Sequence, residues 1–388
     1  MNAVTRIHGA AARQGESACA ALLDSIAALG PDIAANGQAG DDGDAFVAEN
    51  YRLLKQHGFL TAGVPVALGG AGADLETMAE ALGRLAHFCG STALAAAMHT
   101  HQVVIAAWRM AHDKAPTEGL LKRVMGEGLV LLSSGGSDWI DSSGRAEPTE
   151  GGFRLSGRKV FTSGAPAGDL LMTSAVVATP GEPDSVIHFG LPMKAKGVRI
   201  ESTWRALGMR GTGSHDVVME GVEIPAAAVS LRRPRGVWHP LYDRIVMLAL
   251  PLIYAVYVGL AERAAEIAVE AVAKRPDAPS RAQALGAVQN ELAMARLGLR
   301  AMLDAAAGNA PGEATSVAVL TGRTIAGRAA LRTVELAMEA VGGASMYRAS
   351  AIERIFRDVQ GARFHPLNER AQTEMSGRLA LGLPVAGK

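Results

Sequence analysis

Apolar positions recur at helical spacing through the first third of the chain, as in Ala20, Leu23, Ile26 and Ala27, and again in Met78, Leu82, Leu85 and Ala86. Such spacing gathers the side chains on one face, so residues from about 10 to 130 are expected to form packed helices. Breaks fall at residues 40–44 and in the Gly-rich stretch 64–72, with Asp74 and Ser91 as helix caps. Between about 131 and 235 the period changes. Residues 170–177, 186–191 and 217–224 are short, apolar or β-branched, and bounded by Gly, Pro, Asp and Ser, which predicts strands. Glu150-Gly151-Gly152 and Pro180-Gly181-Glu182 suit hairpin connections, hence an antiparallel sandwich or barrel. From about 238 the helical period returns in 242–274, 281–307 and 313–341, broken at Pro276, Pro279, Pro311 and Gly342-Gly343. Long Ala/Leu helices with short connections bury their stripes best against one another, which favours a four-helix bundle and self-association of leftover apolar faces. The chain therefore reads as mainly α with a central β-domain: an N-terminal helical domain (1–130), an antiparallel β-sandwich or barrel (131–237) and a C-terminal four-helix bundle (238–388).

Composition narrows the partners. Lys plus Arg equals Asp plus Glu at 38 each, so no surplus positive charge is available for nucleic acid or an anionic bilayer. The longest apolar run, residues 245–260, is interrupted by Pro251 and falls short of the roughly 20 residues that span a bilayer, so a buried helix is expected and membrane insertion is not. Cys19 and Cys89 are too few and too far apart for a disulfide framework or a thiolate metal site, which fits a reducing cytoplasm. The first residues lack the apolar core of a signal peptide and are expected to lead into a helix. His99 and His101, two apart, do not share a helix face and have no carboxylate beside them in sequence, so no metal is expected. Gly69-Gly70-Ala71-Gly72 lacks the spacing of a dinucleotide loop, and no phosphate-loop, zinc-protease or serine-hydrolase motif occurs.

Several short motifs stand in a telling order. Leu132-Ser133-Ser134-Gly135-Gly136-Ser137-Asp138 opens the β-domain, where backbone N–H groups and hydroxyls of a Gly/Ser turn can meet a polar ring or a phosphate. Then come Gly157-Arg158-Lys159-Val160-Phe161-Thr162-Ser163-Gly164, Leu207-Gly208-Met209-Arg210-Gly211-Thr212-Gly213-Ser214, Gly342-Gly343 and Ile352-Glu353-Arg354-Ile355-Phe356-Arg357-Asp358. In this order they resemble the acyl-CoA dehydrogenase superfamily from about Phe59 to Leu381. The resemblance implies a bound flavin, FAD with FMN as the alternative, and makes Ser133, Gly136, Ser137, Phe161, Thr162 and Ser163 its contacts on the β-domain. Arg281, Glu339, Gly342 and Gly343 fall in the region that meets FAD across a subunit boundary, implying a homo-oligomer, tetramer or dimer. Glu339 stands where the family usually has Gln, and an acid beside a pyrophosphate is electrostatically awkward.

Desaturating an acyl thioester needs a carboxylate to take the α-proton while the β-hydride goes to the flavin. Beyond the Arg-Asp pair, where many members carry that Glu, this chain reads Ala362-Arg363-Phe364-His365-Pro366-Leu367. A second position, used by isovaleryl-type members, lies in a Glu-Arg-Leu-Val pattern with a later Pro, and Asp243-Arg244-Ile245-Val246 with Pro251 matches that register. The first expectation is thus an acyl-CoA dehydrogenase with Asp243 as base, His365 as the second catalytic candidate, Arg244 assisting the substrate, and an electron-transfer flavoprotein as partner. The alternative is a two-component monooxygenase fed by a flavin reductase, with His99 or His101, Ser163 and His365 around the flavin in place of a carboxylate. A third reading is a non-catalytic member of the family.

Overall fold

The computed structural model describes residues 3–134, 138–179, 181–275 and 277–384, apart from the side chains of 3–17 and 278. The N-terminal region is built from helices α1 (Ala3–Asp42), α2 (Ala48–Gln56), α3 (Leu75–Phe88), α4 (Gly90–His112) and α5 (Glu118–Glu127). Asp74 caps α3 by accepting the amide of Thr77 at 2.8 Å. The expected cap at Ser91 is displaced. Cys89 precedes α4 and its sulfur takes the amide of Thr92, while Ser91 Oγ accepts the amide of Gly211 from the sheet region.

Eight strands follow: β1 (Leu131–Ser133), β2 (Arg145–Thr149), β3 (Gly152–Thr162), β4 (Leu170–Val177), β5 (Ser185–Pro192), β6 (Val198–Glu201), β7 (His215–Pro225) and β8 (Val229–Pro234). They form one sheet in the order β6-β7-β3-β2-β4-β5-β8, with β1 added against β4. The pairings are antiparallel, as the hairpins at Gly151 and Gly181 predict, except around β4, which runs parallel to β1 and meets the first residue of β2 in parallel. No tight turn joins β3 to β4, so that junction is free of the hairpin constraint. A buried ion pair pins the start of the domain to the sheet: Lys159 Nζ lies 2.9 Å from Asp138 and donates to the carbonyls of Ser143 and Ser174.

The C-terminal part consists of α6 (Pro240–Ala273), α7 (Ala282–Ala307), α8 (Glu313–Val341), α9 (Ala351–Val359) and α10 (Glu369–Ala380). α6 is long and apolar enough to cross a membrane, yet most of it is buried by α3, α4, α7 and α8, as expected for the core helix of a bundle. α7 and α8 approach closely at Gly298 and Gly322; a Cβ on Gly298 would lie 2.6 Å from the backbone nitrogen of Ala326. The Arg-Asp pair of α9 staples three regions together. Arg357 forms a two-pronged ion pair with buried Asp41 of α1 at 2.8 and 2.6 Å, while Asp358 accepts the amide of Met209. Burial raises the Asp358 carboxyl to about 6.

Candidate active site

The seat expected for a flat polar ligand lies at the end of β3. Phe161 has φ +54 and turns an uncovered ring outward, 57% exposed, with its edge against Trp204 at 5.9 Å. A positive φ at a bulky residue costs about 1–3 kcal/mol and persists only where the surroundings hold it. Thr162 is buried beside it, and Ser163 Oγ bonds Ser214 Oγ at 2.7 Å. Ser133, at the end of β1, bonds no oxygen among the described residues; its hydroxyl rests 3.8 Å from Met98 Sδ of α4. An open aromatic face suits a planar heterocycle such as a flavin. Gly136 and Ser137 lie outside the described residues.

His99 and His101 are placed differently by the fold. His99 is buried between two backbone groups: Nε2 donates to the Leu60 carbonyl at 2.7 Å and Nδ1 accepts the Leu131 amide at 2.9 Å. It links α4, the 59–61 turn and β1. His101 Nδ1 donates to the Ala97 carbonyl one turn back, and Gln102 lies 3.0 Å from its other nitrogen. Burial pushes both imidazoles down to about 4, so they are neutral at pH 7.

His365 stands in a frame of side chains. Tyr257 Oη lies 2.5 Å from its Nε2, and Arg323 donates to its backbone carbonyl at 2.8 Å while packing over the Tyr254 ring. Tyr254 in turn donates to the Ala362 carbonyl at 2.6 Å. Gly361 makes room for this frame, since a Cβ there would meet the Tyr257 hydroxyl at 2.6 Å. Burial holds the Tyr257 pKa well above 10, so the phenol keeps its proton and donates it. The imidazole then accepts at Nε2 and carries its own proton on Nδ1, which has no partner among the described residues. Desolvation, followed by Arg323 and His101, holds His365 down to about 3. Arg323 is 3% exposed, has no carboxylate partner among the described residues, and its Nε makes no hydrogen bond.

Asp243 sits at the first turn of α6, 7% exposed, with Oδ1 accepting from Trp238 Nε1 at 3.0 Å and Ser316 Oγ at 2.7 Å. Arg244 turns away to Asp113 at 2.7 Å and lies over the Trp108 ring. The residues expected to meet FAD form a separate group at the far end of α8. There Arg275 donates to the Val341 carbonyl, Arg281 binds Asp277 at 2.9 Å and reaches the Ala340 carbonyl, and Glu339 faces Arg332 at 3.6 Å. Ala340 is 24 positions along α8 from Ser316, about 36 Å at 1.5 Å per residue. Within one chain, therefore, Arg281, Glu339, Gly342 and Gly343 are not brought together with Asp243. Sequence reasoning missed Tyr254, Tyr257, Arg323, Trp139 and Trp238. The paired tyrosines sit one turn apart on α6, which was a usable signal; nothing local marked Arg323.

Residues 28–123, 133–222 and 252–370 match the N-terminal, middle and C-terminal domain models of acyl-CoA dehydrogenase. The chain belongs to the acyl-CoA dehydrogenase superfamily, with its helical ends and central sheet. It is similar to the amino sugar nitrososynthase DnmZ of Streptomyces peucetius, 26% identical over 379 residues and 93% of each chain. It is also similar to HsaA of Mycobacterium tuberculosis, the oxygenase subunit of a flavin-dependent monooxygenase, at 26% identity over 94% of this chain and 96% of that one. Among solved structures, KijD3 in complex with FMN and dTDP-3-amino-2,3,6-trideoxy-4-keto-3-methyl-D-glucose superposes with a TM-score of 0.87 at 26% identity, covering 96% of this chain and 95% of its own, and KijD3 in complex with dTDP superposes with a TM-score of 0.86.

Proposed function

We propose that this protein is a flavin-dependent oxygenase that receives reduced flavin, of the FMN type, from a separate reductase and transfers one oxygen atom of O2 to a small molecule, the other leaving as water. The observation that carries this reading is the identity of the group beyond the Arg-Asp pair: a neutral His365 held by Tyr257, with no carboxylate bonded to it. A carboxylate at that place abstracts a proton, whereas a neutral imidazole with Nδ1–H outward donates a hydrogen bond to an oxygen atom. Bound reduced flavin supplies the two electrons that oxygen activation needs.

This chain's own residues do the rest. Phe161, Ser133 and Ser163 hold the ring at the sheet edge, while Tyr257 fixes the His365 tautomer and burial, helped by Arg323, keeps the imidazole unprotonated. Asp243, one methylene shorter than Glu and already engaged by Trp238 and Ser316, is poorly suited to reach a thioester α-carbon. Relatives named as nitrososynthases and as an oxygenase subunit support the reading, as does the FMN named in the KijD3 complex. FMN also suits the far end of α8, where Arg281 is already paired and Glu339 adds negative charge. The functional form is a homo-oligomer, supported by Met346, Tyr347 and Phe364, which are 73%, 72% and 78% exposed in the single chain.

The test supplies NADH, FMN and an unrelated flavin reductase, and follows labelled dioxygen into an added acceptor compound. Label in the product, at an oxygen uptake above that of the reductase alone, is the expected result. Uptake equal to the reductase blank across acceptors would overturn the proposal.

A further inference from the structure

Asp243 presents an unbalanced charge. Both of its described hydrogen bonds go to Oδ1, from Trp238 and Ser316, and both donors are neutral. Its Oδ2 has no hydrogen-bond partner among the described residues, and no cation there pairs with either oxygen, although the side chain is only 7% exposed. The neighbouring cations are committed elsewhere. Arg244 gives two nitrogens to Asp113, at 2.7 and 3.1 Å, and a third bond to the Pro240 carbonyl. Arg233 gives its bonds to the carbonyls of Trp139, Ile140 and Pro234 and to His188. Two neutral donors and the first turn of α6 are what the described residues offer this carboxylate, so a cation at Oδ2 would add a direct ion pair.

The surroundings define which cation fits. Aromatics make up 4% of the chain, yet two of its four Trp, Trp139 and Trp238, meet Tyr242 here, with ring centroids 5.2 to 6.1 Å apart. Indole faces attract ammonium groups, and both Trp are partly exposed. Ser316 and Arg323 are seven residues apart, hence on one face and about 10 Å along the axis. Ser316 holds Asp243 and Arg323 holds the His365 loop. On α6, Asp243 and Tyr254 are eleven apart and likewise share a face.

We infer that Asp243 and Trp238 form the substrate anchor for a small ring-bearing primary amine, bound as its ammonium. This deepens the oxygenase reading and rests on it. A primary ammonium satisfies both features: its charge and N–H donors complete Oδ2, and its ring packs on the indoles. Asp243 is in this view a specificity-determining residue.

The test uses the full chain without flavin and reads tryptophan fluorescence. The probes are cyclohexylamine, an ammonium at neutral pH, and cyclohexanol, which has nearly the same shape and no charge. The amine is expected to reach half-saturation at a concentration about tenfold or more below that of the alcohol. Asp243→Asn brings the two within about twofold of each other, while Asp243→Glu retains the preference. Trp139→Phe keeps the carboxylate and weakens the amine by about threefold, an outcome that holds even if the Asn variant does not fold. Equal response of the wild-type chain to amine and alcohol, or a preference that survives Asp243→Asn, would overturn the inference. Because no flavin is present, such a failure leaves the oxygenase reading standing. Absent oxygen transfer with reduced flavin would remove that reading and leave amine binding intact.

Discussion

The histidine of α4 and the histidine of the C-terminal loop have similar titration behaviour and opposite connections. His99 spends both nitrogens on backbone groups, and each of those groups would be left buried and unpaired without it. His365 is held at one nitrogen by a phenol and offers the other. Burial is the largest cause of the depression in both, so a shifted pKa does not distinguish a pin of the fold from a working group. Connectivity does: a ring bonded only to backbone fixes where elements sit, whereas one oriented by side chains can present a proton.

Substitutions at the two positions should therefore separate rate from stability. His365→Ala is expected to lower coupled oxygen transfer by about a hundredfold or more, since a positioned proton donor contributes 10² to 10⁴ in rate, while costing only the roughly 1–3 kcal/mol of one hydroxyl, that of Tyr257, left buried and unpaired. Comparable losses of rate and melting temperature would erase the contrast. His99→Leu should do the reverse, costing about 2–4 kcal/mol in chemical denaturation for two orphaned backbone groups, with the rate per folded molecule preserved.

Tyr257→Phe sharpens the comparison by keeping the imidazole and removing its orienting bond. A fall of roughly fivefold in rate is expected, the size of about one hydrogen bond near 1 kcal/mol. The pH optimum should also widen less toward acid in this variant, because the imidazole loses the donor that favours its neutral form. In the wild-type chain the rate should show no imidazole inflection near 6.5, since the folded value is about 3.

The smallest effect is on acid stability. A histidine that is neutral when folded and titrates at 6.5 when unfolded contributes stability above pH 6.5 that is lost as pH falls through about 4. Urea midpoints measured from pH 7 to pH 4 should thus fall less steeply in His99→Leu than in wild type. An equal slope would show that His99 is charged in the native chain.

Much of the architecture was legible because helical and strand periods are local. The segments 170–177 and 313–341 coincide with β4 and α8, and Asp74 caps its helix. The cap at Ser91 was misplaced because sulfur in Cys89 took the role and Ser91 was drawn to the sheet by Gly211. The position of His365 was legible from its motif, but its partners were not. Tyr257 and Arg323 reach it from 108 and 42 residues away, through helix packing that no short window records. The same holds for Trp139, whose neighbour Tyr242 lies across the junction of sheet and bundle.

The central claim is that His365, in its tyrosine frame, serves oxygen transfer and not desaturation of a thioester. Anaerobic titration of the flavin-loaded protein with acyl-CoAs of several chain lengths tests it most directly. The account predicts that the flavin absorbance stays unchanged with every one; bleaching by any acyl-CoA, lost in Asp243→Asn, would contradict it.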